Sequence, residues 1–510
     1  MQSKVLSDKD IERIHEATLT VLAKTGVGFK DSPQAQEIFK TAGCRVENER
    51  VTFPPEVIAE GLARIPDREG LDYYNHGLGF TGPVSLKQGD VSFGLIGNAF
   101  TIHDYGAGES RSCLESDVND KLLVLDSLPN FDYDCCNLFT AHDRGIGDRV
   151  ARPYDNAEAG PRFLRRWVCG RAVPGRKTMP FGAINTTEEE RRLTTLGRAI
   201  LEGVTSTEAL LNRQLDFVWC NTLSPLRIKG SEADSIIRAA RSGHGMSMIS
   251  PEVMWGATGP VTLAGSLVQH NAEVLAGVLL SQFASPGSAC IYGCVSAPME
   301  MHTTDTHHGA FETALFDAAV VQLADRYGLP SRISPGNTSQ VRPSPRAYAE
   351  TAMGLYLGAA AGGNIITTGL LDSTIRISYE HLVVVDELIN QVRNITKPIA
   401  TDADSLALEV IDRVCNEDGN FLVDDHTLEN MKRDVYYSAF TGRTEDSFMD
   451  VYDRAHQKVK EILARRDTDA HVDKDTLARL EAVEARLKED DTTWREGEGD
   501  WWRTYVASPM

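Results

Sequence analysis

Six side chains that can hold cations or exchange protons stand close together in one stretch of the sequence. They are Glu300, His302, Asp305, His307, His308 and Glu312. The stretch follows a short apolar run, ACIYGCV, which is typical of a buried strand. In a chain that alternates strands and helices, ligands bind in the loops that follow the strands. We therefore expect the chemistry of this protein in the loop 300–312, with the loop near Arg342 as its partner.

The histidines of this loop raise the question of a metal. His302, His307, His308 and Glu312, with Cys294 close by, are residue types that bind zinc. Their spacing matches no closed zinc pattern, and we predict no metal here. A zinc-dependent enzyme that uses this loop is an alternative, because zinc would activate a substrate hydroxyl or thiol.

The nine cysteines are scattered and include no C-x-x-C pair, which disfavours both a disulfide framework and a zinc ribbon. Cys290 and Cys294 would share one side of a strand, and we interpret them as buried thiols. The adjacent Cys135 and Cys136 would point to opposite faces of a strand, so they cannot bind one ion together. This usage favours a reducing, cytoplasmic location.

Strand-like and helix-like segments alternate through the middle of the chain. The predicted strands are 131–137, 178–184, 217–222, 246–250, 289–295, 332–334 and 364–367, and the predicted helices between them are 187–201, 232–241, 263–283, 310–327 and 347–361. Seven such units predict a parallel sheet, which usually closes into an eight-stranded barrel. We therefore predict an α/β protein with a (β/α)8 (TIM) barrel over residues 111–400, whose eighth strand is not located.

Appendages are predicted on both sides of this barrel. Residues 1–110 are interpreted as helices, the first capped by Ser7, followed by a β-hairpin that turns at Gly97–Asn98. Residues 401–510 are predicted to form an acidic helical extension, with a charge-rich, solvent-facing helix from Asp467 to Glu498. The last part of the chain also contains Trp494, Trp501, Trp502 and Tyr505. Such aromatic residues on a polar tail predict that it packs on the body or on another subunit.

The composition excludes several classes of partner. A formal charge of −21, from 73 acidic and 52 basic residues, disfavours nucleic acid, whose phosphates require a basic face. The first residues, MQSKVLSDKDIERIHEATL, have no apolar signal-peptide core, and no segment reaches the roughly 18 apolar residues of a membrane span. We therefore expect a protein that is neither exported nor bound to a membrane.

Six sequence blocks are spread nearly from end to end of the chain. They are LSDKDIERIHEATLTVLAKTGVGF, WGATGPVTLAGSLVQHNAEVLAG, PGSACIYG, RYGLPSRISPG, AYAETAMGLYLGAAAGGNIITTGLLDS and SYEHLVVVDEL. Together these blocks resemble the trimethylamine methyltransferase family. The resemblance implies a (β/α)8 barrel that moves a methyl group from a methylated amine to the cobalt of a separate corrinoid protein. It also implies that this partner carries the corrinoid (cobalamin), that the chain itself binds no cofactor, and that the chain forms a symmetric homo-oligomer.

One loop departs from the archaeal members of that family. They carry pyrrolysine in a segment that here reads PGNTSQVRPSPRAYAE, and this chain contains only standard residues. Gln340, Val341 and Arg342 offer no electrophilic imine that could bind a free amine. The resemblance is therefore to the branch without pyrrolysine, and it implies demethylation of a quaternary amine such as glycine betaine, proline betaine or carnitine.

A quaternary amine requires little proton chemistry from its enzyme. It already carries a positive charge and leaves as a neutral tertiary amine, so an attacking Co(I) needs no proton from the protein. The enzyme must instead align methyl, nitrogen and cobalt and exclude water. We therefore assign no catalytic acid or base. Glu312 and His302 are interpreted as positioning residues. Glu300, Asp305 and Glu312 are candidates for counter-charge to the ammonium, and the alternative is that they accept hydrogen bonds from their own loop.

The cation itself should be held by aromatic faces, each contributing on the order of 0.5–2 kcal/mol when desolvated. The candidates near predicted strand ends are Phe93, Tyr105, Trp219, Trp255, Tyr292 and Phe311. Trp255 and Tyr292 are favoured because they lie in the family-like blocks. For any one of the six, packing in the core is the commoner role.

A betaine would also require a charged hydrogen-bond donor for its carboxylate. Arg342 is the first candidate and His302 the second, although a surface role for Arg342 remains open. Arg376 and His381 are further candidates. Two alternatives stay open. A barrel that keeps such a pocket but has lost its corrinoid partner would be a non-catalytic quaternary-amine binding protein. An enzyme that holds zinc in the loop from His302 to Glu312 would be a zinc-dependent methyltransferase or hydrolase.

Overall fold

The computed structural model describes residues 3–74, 83–138, 216–242, 245–417, 419–438, 440 and 450–465. The strands in this part are β1 (Val27–Gly28), β2 (Arg45–Glu47), β3 (Arg50–Thr52), β4 (Asp72–Tyr74), β5 (Pro83–Ser85), β6 (Ser92–Ala99), β7 (Thr101–Asp104), β8 (Glu109–Ser112), β9 (Tyr133–Leu138), β10 (Asp216–Cys220), β11 (Gly245–Ile249), β12 (Met254–Trp255), β13 (Cys290–Gly293), β14 (Ala297–Pro298), β15 (Ser331–Gly336), β16 (Ile365–Thr368) and β17 (Arg376–Ile377). The helices are α1 (Asp8–Lys24), α2 (Pro33–Thr41), α3 (Pro55–Ala63), α4 (Glu115–Asp126), α5 (Gly230–Ser242), α6 (Leu263–Ala284), α7 (Phe311–Arg326), α8 (Pro345–Ala361), α9 (Tyr379–Ile395), α10 (Ala403–Leu406), α11 (Leu408–Asn416), α12 (Asp425–Asp434) and α13 (Val451–Leu463).

The main sheet has seven parallel strands in the order β10-β11-β13-β15-β16-β6-β9. Strands β11, β13, β15 and β16 are buried along their whole length. Parallel strands covered on both faces have this uniform burial, which explains their nearly continuous apolar sequences. The predicted α/β class and six of the seven predicted strands are confirmed, while the predicted strand 178–184 lies outside the described residues.

The predicted β-hairpin at Gly97–Asn98 is wrong. β6 continues through these residues, and Gly97 pairs with Cys136 in a parallel ladder between β6 and β9. The other edge of β6 pairs with β16. The chain reverses instead after β7, which pairs antiparallel with β8. β6 is therefore a strand of the main sheet, whereas the sequence pattern assigned these residues to one arm of a hairpin in the predicted appendage 1–110.

The two outer strands of the observed order are β9 and β10. The chain between them, 139–215, contains the predicted strand 178–184. One parallel strand from that stretch would raise the number to eight, which is the number that closes a TIM barrel. Closure of the barrel stays a prediction, as do the domain boundaries at 110/111 and 400/401.

The sheet separates two apolar cores, as in a barrel with an outer layer of helices. One core contains Ile96, Tyr133, Cys135, Trp219, Met246, Met248, Ile291 and Ile365, and we call it the interior core. The other, which we call the outer core, contains Leu95, Cys136, Cys220, Ile249, Tyr292, Ile333 and Ile366 together with residues of the helices. Side chains alternate along a strand, so Cys135 and Cys136 enter different cores, as predicted.

The long helix α6 is apolar on most sides because other helices surround it. Helices α1, α2, α3 and α5 pack against α6, and Ser7 caps α1 as predicted, since its Oγ accepts the Asp10 N–H over 3.2 Å. By length and mean hydropathy, α6 meets the criterion for a membrane span, contrary to the sequence expectation, and 72% of its most apolar window is buried inside the fold. A core helix of this kind meets the same criterion without entering a membrane.

The C-terminal helices differ in how much they bury. α13 packs on α9 and α4, with Tyr452, Ala455, Val459 and Ile462 buried. In contrast, α10 and α12 bury no residue, and α11 buries Val414. The predicted helix Asp467–Glu498 and the aromatic tail lie outside the described residues.

Candidate active site

Three loops meet at the carboxyl ends of the parallel strands. They are the β13 loop (294–310), the β15 loop (337–344) and the β16 loop (369–375). The Gly309 N–H donates to Ser339 Oγ over 2.9 Å, and Ser373 Oγ lies 3.3 Å from the same oxygen. Ser373 Oγ also donates to the Thr306 carbonyl over 2.5 Å. The two loops that the sequence singled out are therefore in contact.

One buried carboxylate holds the β15 loop in place. Glu350, in α8, is 2% exposed and accepts hydrogen bonds from the Thr338 hydroxyl and, over 3.2 Å, from the Ser339 N–H. Gln340 Nε2 donates to it over 3.2 Å, and Arg346 Nε donates over 2.6 Å. Because these four donors engage both oxygens, Glu350 determines where residues 338–340 lie.

A guanidinium group lies inside the strand layer. Arg332 is 1% exposed; its Nε donates to Thr367 Oγ1 over 3.1 Å and its Nη1 to the Cys294 carbonyl over 2.9 Å. Its central carbon lies 4.7 Å from the centre of the Trp219 ring. Burial lowers the pKa of Arg332 to about 10, so the group stays charged at neutral pH. Within the part of the chain that the structure describes, Arg332 forms no ion pair.

His308 lies close enough to Arg332 to be affected by its charge. The residue is 4% exposed, and its Nδ1 has no hydrogen-bond partner. Burial, and next the charge of Arg332, lower the pKa of His308 to about 4. The ring is therefore neutral at pH 7, with one N–H donor and one acceptor nitrogen.

Other polar atoms near the strand ends are also buried without a partner. They are Trp219 Nε1, Ser250 Oγ and Asn337 Nδ2. Native structures leave few buried polar atoms unpaired, and each one calls for a ligand, a water or another explanation. All three occupy the carboxyl ends of parallel strands or the residues just beyond, where this fold class binds ligands. This end of the sheet is therefore the candidate active site.

Asp317, in α7, carries a buried carboxyl group next to this region. It is 1% exposed, and its Oδ2 accepts the Ser334 N–H over 3.1 Å. Burial raises the pKa of Asp317 to about 7, because low-dielectric surroundings disfavour the ionised form. At neutral pH the group is partly protonated and is not a full counter-charge for Arg332.

We expect Asp317→Asn to remove a pH-dependent part of the stability. The folded-state pKa of about 7 lies above the ordinary value of 3.8, so the contribution of Asp317 is fully present below pH 3.8 and is lost as the pH rises through 7. The free energy of unfolding of the variant, relative to the wild type, should therefore increase between pH 4 and pH 7, by up to about 1.4 kcal/mol per pH unit. Denaturant titrations at several pH values measure this difference, and a constant difference would contradict the prediction.

The predicted aromatic residues do not converge on one site. Trp219 belongs to the interior core. Tyr292 lies on the other side of the sheet, where its hydroxyl donates to Asn271 Oδ1 over 2.9 Å, and Phe93 also belongs to the outer core. The position of Tyr292 therefore does not support its preference over the other aromatic candidates.

The other three aromatic candidates lie beyond the strand ends. Trp255 packs on Phe316 with ring centres 4.9 Å apart, and its Nε1 has no hydrogen-bond partner. Tyr105 is partly buried beside Tyr452, with ring centres 6.3 Å apart. Phe311 is 40% exposed at the start of α7. Of the six candidates, Trp219 and Trp255 combine a buried ring with an unpaired N–H.

Most of the predicted polar residues face solvent. Arg342 is exposed and forms no ion pair with any residue that the structure describes. The His302 side chain is 93% exposed, and its Nδ1 lies 3.1 Å from Glu300 Oε1. Asp305 is exposed, and Glu312 is exposed in the first turn of α7. Their roles in positioning and counter-charge stay predictions.

The two further candidates for the carboxylate contact, Arg376 and His381, lie in different surroundings. Arg376 Nη1 donates to the Val341 carbonyl over 2.6 Å, and its Nη2 lies 2.9 Å from Asp372 Oδ2. Arg376 therefore holds the β15 loop from the side of the β16 loop. His381 is buried in α9 with both ring nitrogens unpaired, and burial lowers its pKa to about 3.

The residues proposed as a zinc set do not come together. Across the described ranges, no three His, Cys, Asp or Glu side chains are arranged to hold a metal ion. His308 is buried, whereas His302 points into solvent. Cys290 and Cys294 are buried free thiols, as predicted.

Sequence reasoning missed the roles of Arg332 and Glu350. Arg332 interrupts the otherwise uncharged strand SRISPG, and Glu350 interrupts the mainly apolar and small run AYAETAMG. A charge inside a buried segment requires a partner, and this signal was present in both places. Arg346, four residues earlier in α8, pairs with Glu350, but the other partners come from different elements: Thr367 and the Cys294 carbonyl for Arg332, and residues 338–340 for Glu350. These distant partners are what the sequence could not supply.

Comparison with known proteins supports the resemblance seen in the sequence. The family described as "Trimethylamine methyltransferase (MTTB)" matches residues 1–125 and 182–491. The glycine betaine methyltransferase of Desulfitobacterium hafniense (strain Y51) is 28% identical, with 94% of this chain and 96% of that protein covered. The trimethylamine methyltransferase MttB of D. hafniense (strain DSM 10664 / DCB-2) is 28% identical, with 84% and 81% covered. MttB2 of Methanosarcina mazei is also 28% identical, with 98% and 97% covered. The chain belongs to the trimethylamine methyltransferase family, and its relatives are methyltransferases.

Proposed function

We propose that this chain transfers a methyl group from a quaternary amine to the Co(I) of a separate corrinoid protein. The observation that carries the proposal is the set of side chains at the carboxyl end of the interior. Arg332 is a fixed cation, and His308 is a buried neutral ring whose pKa lies near 4. Neither is suited to take or give a proton at neutral pH. A site of this kind fits a reaction that depends on alignment.

The chemistry of a quaternary amine matches such a site. In-line attack by Co(I) on one methyl carbon forms the cobalt–carbon bond and breaks the carbon–nitrogen bond, and the nitrogen keeps the bonding electrons. The leaving group is a neutral tertiary amine, so no acid is required. The side chains then have to orient the substrate and exclude water from it.

The β15 loop supports the choice of a quaternary amine over trimethylamine. The loop that replaces the pyrrolysine segment contains standard residues and is fixed by hydrogen bonds to Glu350. A free amine has no electrophile to bind there. Among the relatives, one named glycine betaine methyltransferase spans nearly the whole chain.

The rim of the site offers a surface for the corrinoid partner. Met301, Val341 and Ile375, one from each of the three loops, are 65%, 51% and 46% exposed. Exposed apolar side chains on loops that contact one another are candidate contact sites for another protein. A corrinoid protein seated here would bring its cobalt to the carboxyl end of the sheet. The homo-oligomer implied by the resemblance stays a prediction.

Methyl transfer can be tested with the purified chain, Co(I) cobalamin and a panel of glycine betaine, proline betaine, carnitine and choline. We expect conversion of Co(I) to methyl-Co(III), followed by its absorption spectrum, with at least one of these amines. Tight binding of an amine without methylcobalamin would instead indicate a binding protein. Loss of turnover on adding a chelator would indicate a zinc enzyme.

A further inference from the structure

We infer that Arg332 and His308 form an anion-binding pair that holds the carboxylate of a zwitterionic quaternary amine. This inference rests on the proposed function and names the substrate class for the same site. It moves the carboxylate contact from the exposed Arg342 to a buried arginine on β15. The support comes from the charge, the hydrogen bonds and the location of Arg332.

The charge of Arg332 is not balanced by its described surroundings. Its partners are the neutral hydroxyl of Thr367 and the carbonyl of Cys294, and its Nη2 donates to no described residue. Asp317 is the described carboxyl group whose charge acts on it, but Asp317 is already hydrogen-bonded to the Ser334 N–H and partly protonated at pH 7. Burying a cation is costly unless an opposite charge compensates it. A bound anion would supply that charge.

His308 lies in the β13 loop, whose first residue, Cys294, accepts the hydrogen bond from Arg332 Nη1, and it provides a second donor to the same anion. Its burial and its unpaired Nδ1 mean that no described residue satisfies this side of the ring. The Gly309 N–H bond to Ser339 fixes the backbone next to it. A carboxylate has two oxygens, so it can accept one hydrogen bond from the guanidinium and one from the imidazole N–H. Such charge-assisted bonds are stronger than neutral ones.

The same arrangement disfavours a substrate that is only a cation. Choline would place its ammonium group near Arg332 with no negative end to offset the repulsion, which is strong in a buried site. A betaine brings its own negative charge to the guanidinium. Arg332 therefore selects for a carboxylate on the amine, and an exposed group such as Arg342 would select less because solvent screens it.

The location of Arg332 also sets the direction of the substrate. Nε reaches Thr367, one residue before the end of β16, and Nη1 reaches Cys294, one residue after the end of β13. The Trp219 ring covers one face of the guanidinium. A carboxylate on this group lies at the inner end of the site, so the ammonium and its methyl groups point towards the loops. A cobalt approaching from the rim would meet a methyl group.

The test compares Arg332→Met with Arg433→Met, a control at an exposed arginine paired with Asp434. We expect Arg332→Met to lower kcat/KM for glycine betaine by about 100-fold, which is the scale of losing one charged contact. The kcat/KM for choline should stay the same or rise, because the variant removes the repulsion between the guanidinium and the ammonium. Arg433→Met should change neither. Because methionine replaces a buried charge with an apolar chain, Tm should not fall. Arg332→Lys keeps the charge if Arg332→Met fails to fold, and it should lose about 10-fold for glycine betaine alone.

Calorimetric binding of glycine betaine without cobalamin separates this inference from the proposed function. Weaker binding in Arg332→Met and in His308→Ala supports the inference, even if the wild type forms no methylcobalamin. Methyl transfer from glycine betaine that is equally fast in the wild type and in Arg332→Met would overturn the inference and leave the proposed function standing. Equal losses for choline and glycine betaine, a betaine-specific loss in Arg342→Met instead, or no binding of any carboxylated amine by the wild type would overturn it as well.

Discussion

Replacing Lys121 with methionine should lower the free energy of unfolding by about 3–5 kcal/mol, because it leaves a buried carboxylate without its partner. Lys121 Nζ lies 2.7 Å from Asp134 Oδ2, and the two side chains are 5% and 2% exposed. Lys121 also donates to the Cys136 carbonyl. The pair joins α4 to β9, an outer strand of the observed sheet order. Denaturant unfolding of both proteins at pH 7 measures the difference.

A double variant shows whether the unpaired charge is the cause. Lys121→Met combined with Asp134→Asn removes both charges and keeps a side-chain oxygen for the Cys136 N–H, which donates to Asp134 Oδ1 over 3.0 Å in the wild type. We expect it to recover most of the lost stability. A double variant no more stable than Lys121→Met would point to lost packing instead. Removing the exposed Arg433–Asp434 pair should cost less than about 1 kcal/mol.

The sheet could be predicted largely from local sequence, and β6, which was assigned to a hairpin, shows the limit. Short apolar runs bounded by turn residues located six of the strands that the structure describes. The sequence pattern divided β6 between a strand and a hairpin turn, because Gly97 and Asn98 form a common turn pair. In the fold these residues lie between two parallel partners, β9 and β16. Pairing with strands far away in the sequence decides their conformation, and no local pattern contains that information.

The aromatic residues of the site were harder to predict because one position along a strand changes the face. Tyr292 and Ile291 are neighbours, yet Tyr292 enters the outer core and Ile291 the interior core. Trp219 is in the interior core with Ile291. Alternation could have separated these residues, as it did for Cys135 and Cys136, once one residue of each strand had been assigned to a face.

For the charged residues, the sequence directed attention to a dense group and away from single buried residues. The sequence drew attention to the dense group at 300–312, but His302 and Glu312 face solvent. The buried charges, Arg332 and Glu350, lie in runs that are otherwise mainly apolar or small. Arg332 obtains its partners from β16 and the β13 loop, and Glu350 obtains three of its four donors from the β15 loop, so their roles become visible in three dimensions.

The largest effect on activity outside the anion-binding pair is expected at Glu350. Glu350→Ala removes the acceptor for Thr338, Ser339 and Gln340 and should lower kcat/KM by on the order of 100-fold, since supporting residues of a site commonly contribute 10–100-fold and a 1 Å displacement costs as much. The loss should appear mainly in kcat if the loop aligns the methyl group. Steady-state kinetics with glycine betaine and cobalamin measure this split.

Two further variants separate positioning by Glu350 from general destabilisation. Glu350→Gln keeps one acceptor oxygen and should lose about 10-fold. Arg346→Ala removes the donor whose side chain is 57% exposed and should lose less than about 3-fold, because the hydrogen bonds from Thr338, Ser339 and Gln340 to Glu350 stay in place. Gly309 offers an approach from the opposite side: a Cβ there would lie 2.2 Å from Glu350 Oε2 and 2.7 Å from the Ser339 nitrogen. Gly309→Ala must therefore displace the same junction and should reproduce the kcat loss of Glu350→Ala. If Gly309→Ala or Glu350→Ala left kcat unchanged while Tm fell, Glu350 would stabilise the fold without positioning the loop for methyl transfer.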